Sequence, residues 1–304
     1  PATISDADSS NGNWYSFIGS FVQQNGIRGT IYRLNIGPDP LAAPLGVTQM
    51  NLSAPINLNS YIQNIILHRE NNNQYLIVSH NRGISVYRFW NGYHNDSLIF
   101  VRFIENPLNE ALYLQEPRMM NLVNDCGEWV MLVANAFTDA SANNMIAILR
   151  FGNSIENAPT YSRIVINTGG GGIFPNSIAT AKDCQGWHSM VVSPTAGLIR
   201  IDYGDKIDTS FTKTVIGTFA NQLTGVTGVQ LLNDLGDWYL FAQRNDRLIR
   251  LRFGKKLTNL PQFFNLGGLG VPGFRISLGS FYANSRRVFY SMNSTGNLDL
   301  YRFV

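Results

Sequence analysis

Residues 234–268, DLGDWYLFAQRNDRLIRLRFGKKLTNLPQFFNLGG, contain the unit from which the chain is built. They read as a polar turn, a strand that opens on Trp238, a two-residue turn at Asn245-Asp246, and a second strand that ends on Gly254. A loop containing Pro261 leads to a third apolar run. Short strands separated by Gly, Asn, Asp and Pro are typical of antiparallel β-structure. The stretch therefore predicts consecutive antiparallel strands.

The same unit recurs along the whole sequence. An aromatic residue opens its second strand at intervals of 61, 54, 58 and 51 residues, in the order Trp14, Tyr75, Trp129, Trp187 and Trp238. Val288-Phe289 hold this place more weakly in a sixth unit. The third strands give an independent series: TIYRLNIG, SVYRFWNG, AILRFG, LIRIDYG, LIRLRFG and DLYRFV. Both series indicate six units of about 50 residues, a period typical of propeller blades.

Hydrophobicity within a unit alternates with a period of two, as expected for strands. The segments WVMLVANA and WHSMVVSP are almost continuously apolar, which predicts strands covered on both faces. We therefore predict an all-β fold, a six-bladed β-propeller of four-stranded antiparallel blades. The strands predicted for one specimen blade are Ser177–Thr180, Trp187–Val192, Leu198–Tyr203 and Thr212–Ile216.

No linker divides the chain, so we predict a single domain over residues 1–304. The predicted blades are 1–58, 59–112, 113–170, 171–219, 220–270, and 271–304 with an N-terminal strand. The last unit ends within its third strand, at Phe303-Val304. We expect a ring closed by pairing of the N- and C-terminal strands, because this pairing removes a free sheet edge. Residues Ala2–Ser5 could supply that pairing strand or form the inner strand of the first blade.

Composition and charge exclude two classes of partner. The net charge is +3, and the 23 basic residues include only five lysines, with no basic run. Nucleic-acid binding requires a clustered basic patch, so we expect no nucleic-acid partner. No apolar run approaches the ~18 residues of a membrane helix, so we expect no membrane insertion. The polar surface relies on Asn, Ser, Thr and Gln, a composition common in virion, extracellular and cell-surface proteins.

A carboxylate recurs four residues before the aromatic, at Asp125, Asp183 and Asp234. These aspartates could bind a cation or act in pairs on a sugar. Alternatively, each caps its own turn by accepting hydrogen bonds from nearby backbone amides. Repetition in several blades favours the cap, because a catalytic site needs different groups from different blades. Cys126 and Cys184 also occupy matching places, and we expect two buried thiols too far apart for a disulfide.

Arginines alternate with apolar residues on the third strands, at Arg150, Arg200, Arg250, Arg252 and Arg302. They could line a face that binds anionic sugars or carboxylates. The favoured interpretation is that they are solvated strand positions whose aliphatic stems pack on neighbours. Asp202 replaces the Arg at the matching place of the third and fifth units, which indicates a specialised blade. The candidate ligand-facing residues are Arg150, Asp202, Arg252, Tyr93 and His94.

No catalytic or cofactor motif stands out. The sequence has no GxSxG and no HExxH, and TGGGG at Thr168–Gly172 lacks the Lys-Ser/Thr of a phosphate-binding loop. The four histidines have no metal-binding spacing. We therefore assign no catalytic residue, no cofactor and no metal site.

The segments DCQGW, LIRIDYG, DLGDW, LIRLRFGKKLTNLP and NLGG support a resemblance at the family level. Over Asn124–Gly268 the chain resembles the propeller-like repeats of Bacteroidetes surface proteins, including gliding-associated ones. The resemblance is weaker over Asn11–Asn121 and partial at the C-terminus. It implies a propeller fold and a surface or binding role, and it brings no catalytic residues. Because bacteriophages borrow host-surface modules, we expect by analogy a phage virion protein.

Three functional hypotheses follow. The favoured one is a non-enzymatic binding module, in a virion tail, spike or capsid or on a cell surface, that recognises glycan or protein. Its expected partners are other structural subunits of an assembly, a surface glycan, or both. The second is a propeller glycoside hydrolase or polysaccharide lyase, with carboxylates chosen from Glu105, Glu110, Glu116, Asp202 and Asp205. The third is a structural scaffold, which predicts apolar side chains exposed on the outer strands.

Overall fold

The structure is a computed structural model. It describes residues 3–20, 30–39, 44–50, 52, 62–81, 83–105, 114, 117–135, 145–166, 175–244, 247–268, 278–283, 286–292 and 298–302; of residues 3–8, 20, 268 and 278–302 it describes the backbone alone. The chain falls into two compact units, residues 1–105 with 273–304, and residues 106–272.

The first unit contains two four-stranded sheets and one three-stranded sheet. The first blade consists of β1 (Thr3–Ser10), β2 (Asn13–Ser20), β3 (Ile31–Gly37) and β4 (Gly46–Met50). The second consists of β5 (Ile62–Glu70), β6 (Asn73–His80), β7 (Gly83–Phe89) and β8 (Leu98–Glu105). The three-stranded sheet consists of β21 (Leu278–Ala283), β22 (Arg286–Met292) and β23 (Leu298–Arg302).

The second unit contains three four-stranded blades. The third blade consists of β9 (Pro117–Asp125), β10 (Glu128–Asn135), β11 (Met145–Gly152) and β12 (Thr160–Val165). The fourth consists of β13 (Ser177–Asp183), β14 (Gly186–Ser193), β15 (Gly197–Gly204) and β16 (Thr212–Gly217). The fifth consists of β17 (Val226–Asp234), β18 (Asp237–Arg244), β19 (Arg247–Gly254) and β20 (Gln262–Gly268).

The all-β architecture and the four-stranded antiparallel blades are confirmed, but their predicted number is wrong. The described residues form five four-stranded blades rather than six, and those of the last repeat form the three-stranded sheet β21-β22-β23. The expected pairing of the terminal strands is also wrong: β1 and β23 lie in different sheets, where β1 pairs with β2 and β23 pairs with β22. The two-residue turn Asn11-Gly12, with positive φ at both residues, folds β1 directly back onto β2. The N-terminal strand is therefore the inner strand of the first blade, the alternative that the sequence left open.

The first strands of successive blades are neighbours. In the second unit β13 lies beside both β9 and β17, and in the first unit β1 lies beside β5 and β21. The second strands are the most buried: every residue of β14 is buried, and β10 is buried from Val130 to Asn135. The outer strands β12 and β16 remain largely accessible. The prediction that the apolar second strands are covered on both faces is confirmed.

The recurring aromatic and the recurring glycine face each other across a β-bulge. Trp187 at the start of β14 is opposite Gly204 at the end of β15, and the register shifts after Trp187. Gly204 has φ 78°, a left-handed conformation that glycine adopts without steric cost. The same pairing with a bulge occurs at Trp14, Trp129 and Trp238. The aromatic-glycine spacing of the sequence is thus a bulge that ends strand pairing in each of these blades.

Neighbouring blades of the second unit are joined through the repeated aspartate. Asp125, at the end of β9, accepts a hydrogen bond of 2.9 Å from Trp187 Nε1 and another of 2.9 Å from the Ile207 backbone amide. Both donors belong to the fourth blade. Trp187 and Ile207 also pack in a buried cluster that combines side chains of the third and fourth blades. Trp187 therefore packs between the third and fourth blades.

The same loop residue is held from its other side by an arginine of the preceding blade. Arg150 Nη2 donates to the Ile207 carbonyl oxygen. One blade further on, Asp183 accepts a 2.7 Å hydrogen bond from the Leu257 amide, and Arg200 Nη1 lies 3.4 Å from the Leu257 carbonyl oxygen. We call this arrangement the inter-blade clamp: the Asp and Arg of one blade bind the amide and the carbonyl of a buried residue, Ile207 or Leu257, in the next.

The prediction that the aspartates cap their own turns needs correction. Both carboxylate oxygens of Asp125 accept hydrogen bonds from the next blade. Its turn is capped instead by Asn124, which accepts a hydrogen bond from the Gly127 amide. Asp183 does both, because it also accepts from the Gln185 amide of its own turn. A carboxylate at the last position of a first strand lies next to its own turn and also reaches the neighbouring blade.

The prediction of buried thiols is wrong. Cys126 and Cys184 are free and exposed. Each is the first residue of the turn between the first two strands of its blade. Cys126 has φ 56°, as the first position of a type I′ turn requires.

Replacement of Asp125 by Ala should destabilise the protein by about 3 kcal/mol, because the Trp187 and Ile207 donors would stay buried without an acceptor. Asp125→Asn keeps one acceptor oxygen and should lose roughly half as much. Chemical denaturation followed by tryptophan fluorescence measures both. Asn124→Ala, which removes an exposed turn cap, is the control and should cost about 1 kcal/mol or less. Equal losses in Asp125→Ala and Asn124→Ala would contradict the clamp.

Candidate functional site

A cross-strand ion pair marks the third and fifth blades at the same place. Glu128 opens β10 and lies 2.7 Å from Arg150 of β11. Asp237 opens β18 and lies 2.6 Å from Arg252 of β19. In both blades the acid directly precedes the tryptophan, and the arginine lies two residues before the bulge glycine.

The fourth blade lacks both members of this ion pair and has a histidine beside them. Gly186 replaces the acid, Asp202 replaces the arginine, and His188 takes the place of Val130 and Tyr239. His188 is directly opposite Asp202 in the register of β14 and β15. A side chain cannot be added at Gly186, because its Cβ would lie 2.3 Å from the Gly204 carbonyl oxygen. The three changes therefore form one local arrangement.

His188 lies between two carboxylates. Its Nδ1 is 2.6 Å from Asp202 Oδ1, and its Nε2 is 3.0 Å from Asp183 Oδ1. The His188 and Asp183 side chains are only 2% and 1% exposed, whereas Asp202 is 19% exposed. Because both ring nitrogens face carboxylate oxygens, both are donors and the ring is an imidazolium. We call Asp183, His188 and Asp202 the triad. Asp202 is the member of the triad that solvent and ligands can reach.

The pKa values agree with this charge state. Burial by itself lowers the pKa of His188, but hydrogen bonds and charge from Asp202 and Asp183 outweigh burial, so the pKa is raised above its ordinary value. Burial raises the pKa of Asp183, yet the Leu257 and Gln185 amides and His188 bring it below its ordinary value. The pKa of Asp202 is likewise lowered, since hydrogen bonds from His188 and Arg200 exceed the effect of burial. All three groups are charged at mildly acidic pH.

Arg200 makes the aspartate at position 202 compatible with the inter-blade clamp. It lies two residues before Asp202 on the same face of β15, and its Nε is 2.8 Å from Asp202 Oδ1. Its Nη1 donates to the Thr258 carbonyl oxygen at 2.7 Å and approaches that of Leu257. Arg200 thus performs the contact that Arg150 makes from position 150 in the third blade. Because Arg200 holds the next blade, the clamp does not require an arginine at position 202.

A cleft of about 570 Å³ opens over this arrangement. His188 and Asp202 line it together with polar and aromatic side chains from the ends of the strands and from the next blade: Gln185, Ser210, Phe211, Thr212 and Thr258. Thr258 of the fifth blade donates to Gln185 Oε1 and so joins the two blades at the cleft edge. We call this the blade-4 cleft.

A second cleft, of about 450 Å³, lies at the matching end of the fifth blade. Its lining includes Asp237, Arg252, Lys255, Leu260 and Gln262. Hydrogen bonds from Arg252 and then from Lys255 lower the pKa of the half-buried Asp237 carboxyl. We call this the blade-5 cleft.

The predicted ligand-facing residues fall into different places. Asp202 lines the blade-4 cleft and Arg252 lines the blade-5 cleft. Arg150 binds Glu128 and the next blade, with 18% of its side chain exposed. His94 is half-buried beside Ser10. Tyr93 does not face solvent: it is 0% exposed, because its ring packs between Phe17 and Phe89 and its carbonyl accepts from Arg33.

The carboxylates proposed for sugar hydrolysis are dispersed. Glu105 and Asp205 are exposed, and neither lines the two clefts described above. Glu110 and Glu116 lie outside the described residues, as does the turn predicted at Asn245-Asp246.

In the described part of the chain no group of three or more His, Cys, Asp or Glu side chains could hold a metal ion. The same residues include no helix able to cross a membrane.

His188 and Gly186 were missed from the sequence, although a signal existed. Aligning the third, fourth and fifth units on their tryptophans shows that the acid and the arginine of the neighbours are replaced at positions 186 and 202 of the fourth, and that position 188 holds a histidine. Only Asp202 stood out, because the arginine series made its replacement visible. The register that places His188 opposite Asp202 depends on the bulge after Trp187.

Comparisons with known proteins agree on the class: the chain is a β-propeller protein. The allergen Mala s 1 of Malassezia sympodialis is similar over 99% of this chain and 91% of its own, with 14% identity and a TM-score of 0.61. The fucose-specific lectin from Aleuria aurantia is similar over 100% of this chain and 91% of its own, with 10% identity and a TM-score of 0.59.

A third similar structure is an enzyme. A GH43 β-1,3-galactosidase with galactodeoxynojirimycin is similar over 78% of this chain and 88% of its own, with 9% identity and a TM-score of 0.51. At such identities the likeness concerns the fold alone. No protein-family model matches the sequence, and no curated protein matches it significantly.

The raised pKa of His188 should make stability depend on pH. The imidazolium stabilises the folded state fully below the ordinary histidine pKa of about 6.5, and this contribution is lost as pH rises through the folded-state pKa. The lowered pKa values of Asp183 and Asp202 stabilise above their ordinary value and cease to do so in acid. Denaturation from pH 5 to 9 should therefore show wild type losing stability relative to His188→Gln as pH rises. Parallel curves for the two proteins would show that His188 is not charged in the fold.

Proposed function

We propose that this protein is a non-enzymatic carbohydrate-binding β-propeller that binds glycan in the blade-4 cleft. The observation that carries this proposal is the joint change at Gly186, His188 and Asp202, the one place where the fourth blade abandons the ion pair of its two neighbours. Packing is satisfied by the repeated residues, so the loss of this ion pair where His188 and Asp202 line a cleft favours a functional cause. The lectin fold likeness supports the ligand class.

The chemistry of the cleft suits a sugar. His188 and Arg200 hold Asp202 rigidly through its two oxygens, and each oxygen keeps a lone pair for a hydroxyl group. The hydroxyl groups of Ser210 and Thr212 can donate to or accept from further sugar hydroxyls. The half-buried ring of Phe211 offers an apolar surface on which the C–H face of a sugar ring can pack.

The ionised state of the carboxylates in the clefts favours binding over hydrolysis. A glycosidase needs one carboxylic acid that stays protonated, normally through a raised pKa. The pKa values of Asp183, Asp202 and Asp237 are all lowered, so these clefts offer carboxylates and no protonated acid. Hydrolysis of glycosides, as in the GH43 enzyme with a similar fold, is the alternative.

A scaffold role has a separate observation in its favour. The fourth strand of each complete blade exposes an apolar side chain, as the third hypothesis predicts: Val47, Phe100, Val165, Val215 and Leu266. Such positions suit contacts with other subunits of an assembly. We propose on this ground, and on the polar composition, that the protein works in a virion or on a cell surface. Sedimentation velocity over a concentration series would reveal self-association, which serine at Val215 and Leu266 should weaken.

Glycan-array screening followed by calorimetry tests the binding proposal. Asp202→Asn should weaken binding about tenfold or more, because it removes a charged acceptor from the cleft. Thr212→Val, at an exposed position that leaves the triad intact, should weaken it about threefold to tenfold. Asp205→Asn changes an exposed carboxylate that does not line the cleft and is the control. Equal affinity of wild type and both cleft variants would refute the site, and release of shorter sugars would favour hydrolysis.

A further inference from the structure

The blade-5 cleft has a different charge from the blade-4 cleft. In the blade-4 cleft the cations His188 and Arg200 balance the anions Asp183 and Asp202. In the blade-5 cleft two cations, Arg252 and Lys255, face the single anion Asp237. The first cleft is therefore neutral and the second carries a net positive charge.

The cationic groups of the blade-5 cleft are accessible. The side chains of Arg252 and Lys255 are 47% and 73% exposed, compared with 18% for Arg150 at the matching place of the third blade. Arg150 donates to the loop of the next blade, whereas Arg252 uses Nε and Nη2 on one oxygen of Asp237. Among the described residues, Arg252 Nη1 has no hydrogen-bond partner. A ligand can therefore approach that edge of the guanidinium.

The remaining lining complements an anionic group on a sugar. Gln262 lies directly opposite Arg252 in the pairing of β19 and β20, so its side chain is on the same face. Lys255 completes a set of donors around the cleft, and Leu260, 80% exposed, adds an apolar wall. Asn259 holds the loop by donating to the Phe253 carbonyl oxygen, which fixes the wall relative to β19.

One loop borders both clefts. Thr258 faces the blade-4 cleft, while Lys255, Asn259 and Leu260 of the same loop line the blade-5 cleft. The clamp fixes this loop at Leu257, through Asp183 and Arg200. The two clefts thus lie on either side of one loop that the preceding blade holds.

We propose that the blade-5 cleft binds an anionic group, the carboxylate of a uronic acid or the sulfate of a sulfated sugar, on the glycan whose neutral part binds the blade-4 cleft. This inference rests on the proposed glycan binding. Two linked contacts raise the overall affinity above that of either one, because the second contact forms within the complex. The protein should therefore prefer acidic oligosaccharides to neutral ones of the same length.

Calorimetry with three matched probes tests this inference: a neutral oligosaccharide that binds wild type, its uronate-bearing counterpart and its sulfated counterpart. Arg252→Gln combined with Lys255→Gln should weaken binding of the preferred acidic probe about tenfold or more, since charge-assisted hydrogen bonds are lost. The neutral probe should change less than about twofold. Arg252→Lys should retain part of the preference, because it keeps the charge without the planar fork.

Lys206→Gln is the matched control, since it removes one exposed charge from the corresponding loop of the fourth blade. It should leave all three affinities within about twofold of wild type. Thermal unfolding checks that every variant folds. Preference for the uronate probe would assign a carboxylate, and preference for the sulfated probe would assign a sulfate.

Several outcomes would overturn the inference and leave the proposed function standing: equal affinity for neutral and acidic probes, or an acidic preference that persists in the double variant or disappears equally in Lys206→Gln. Absence of binding to any glycan on the array would instead overturn the proposed function and this inference together.

Discussion

The packing of blades in the second unit depends on one constraint. In the fourth and in the fifth blade, one loop residue is held by hydrogen bonds from the preceding blade. Ile207 and Leu257 each present a backbone amide to an aspartate and a backbone carbonyl to an arginine of the preceding blade. Hydrogen bonds within a sheet cannot set the distance between two sheets, and apolar packing alone is not directional. Charged side chains that bind buried backbone groups supply that direction, and leaving such groups unpaired would be costly.

The clamp explains how a repeat can acquire a site without losing its place in the fold. In the fourth blade Arg200 reaches Leu257 and Thr258 from a position two residues earlier than the clamping arginine of the third blade. Residues two apart on a strand lie on the same face, so either can reach the next blade. Position 202 was thus free to become an aspartate, and His188 opposite it supplies the compensating charge.

The triad also links the cleft to the clamp. Asp183 touches His188 through one oxygen and the Leu257 amide through the other. The group that supports the cleft floor is therefore the group that fixes the next blade. Such a fully hydrogen-bonded, buried network is rigid, which favours binding that needs little reorganisation. The neighbouring blade-5 cleft has the same kind of ion pair as the third blade and carries a net positive charge.

The sequence by itself determined much of the local structure. Spacing of Trp187 and Gly204 marked the strand starts and ends, since a bulge needs a left-handed glycine opposite a large residue. The strands predicted for the fourth blade, such as Leu198–Tyr203, lie within those observed. Asp202 was identified because its replacement of an arginine breaks a visible series.

Only the tertiary structure decided how repeats meet. It showed five complete blades and a three-stranded sheet, because the partner of β1 depends on the turn at Asn11-Gly12 rather than on strand count. It also showed that Asp125 binds the next blade and that Tyr93 is buried. The partners of Asp125 lie 62 and 82 positions away along the chain, and hydrophobic period and turn chemistry do not encode such contacts. Sequence patterns report on neighbours within a blade, while the site is made by contacts across blades.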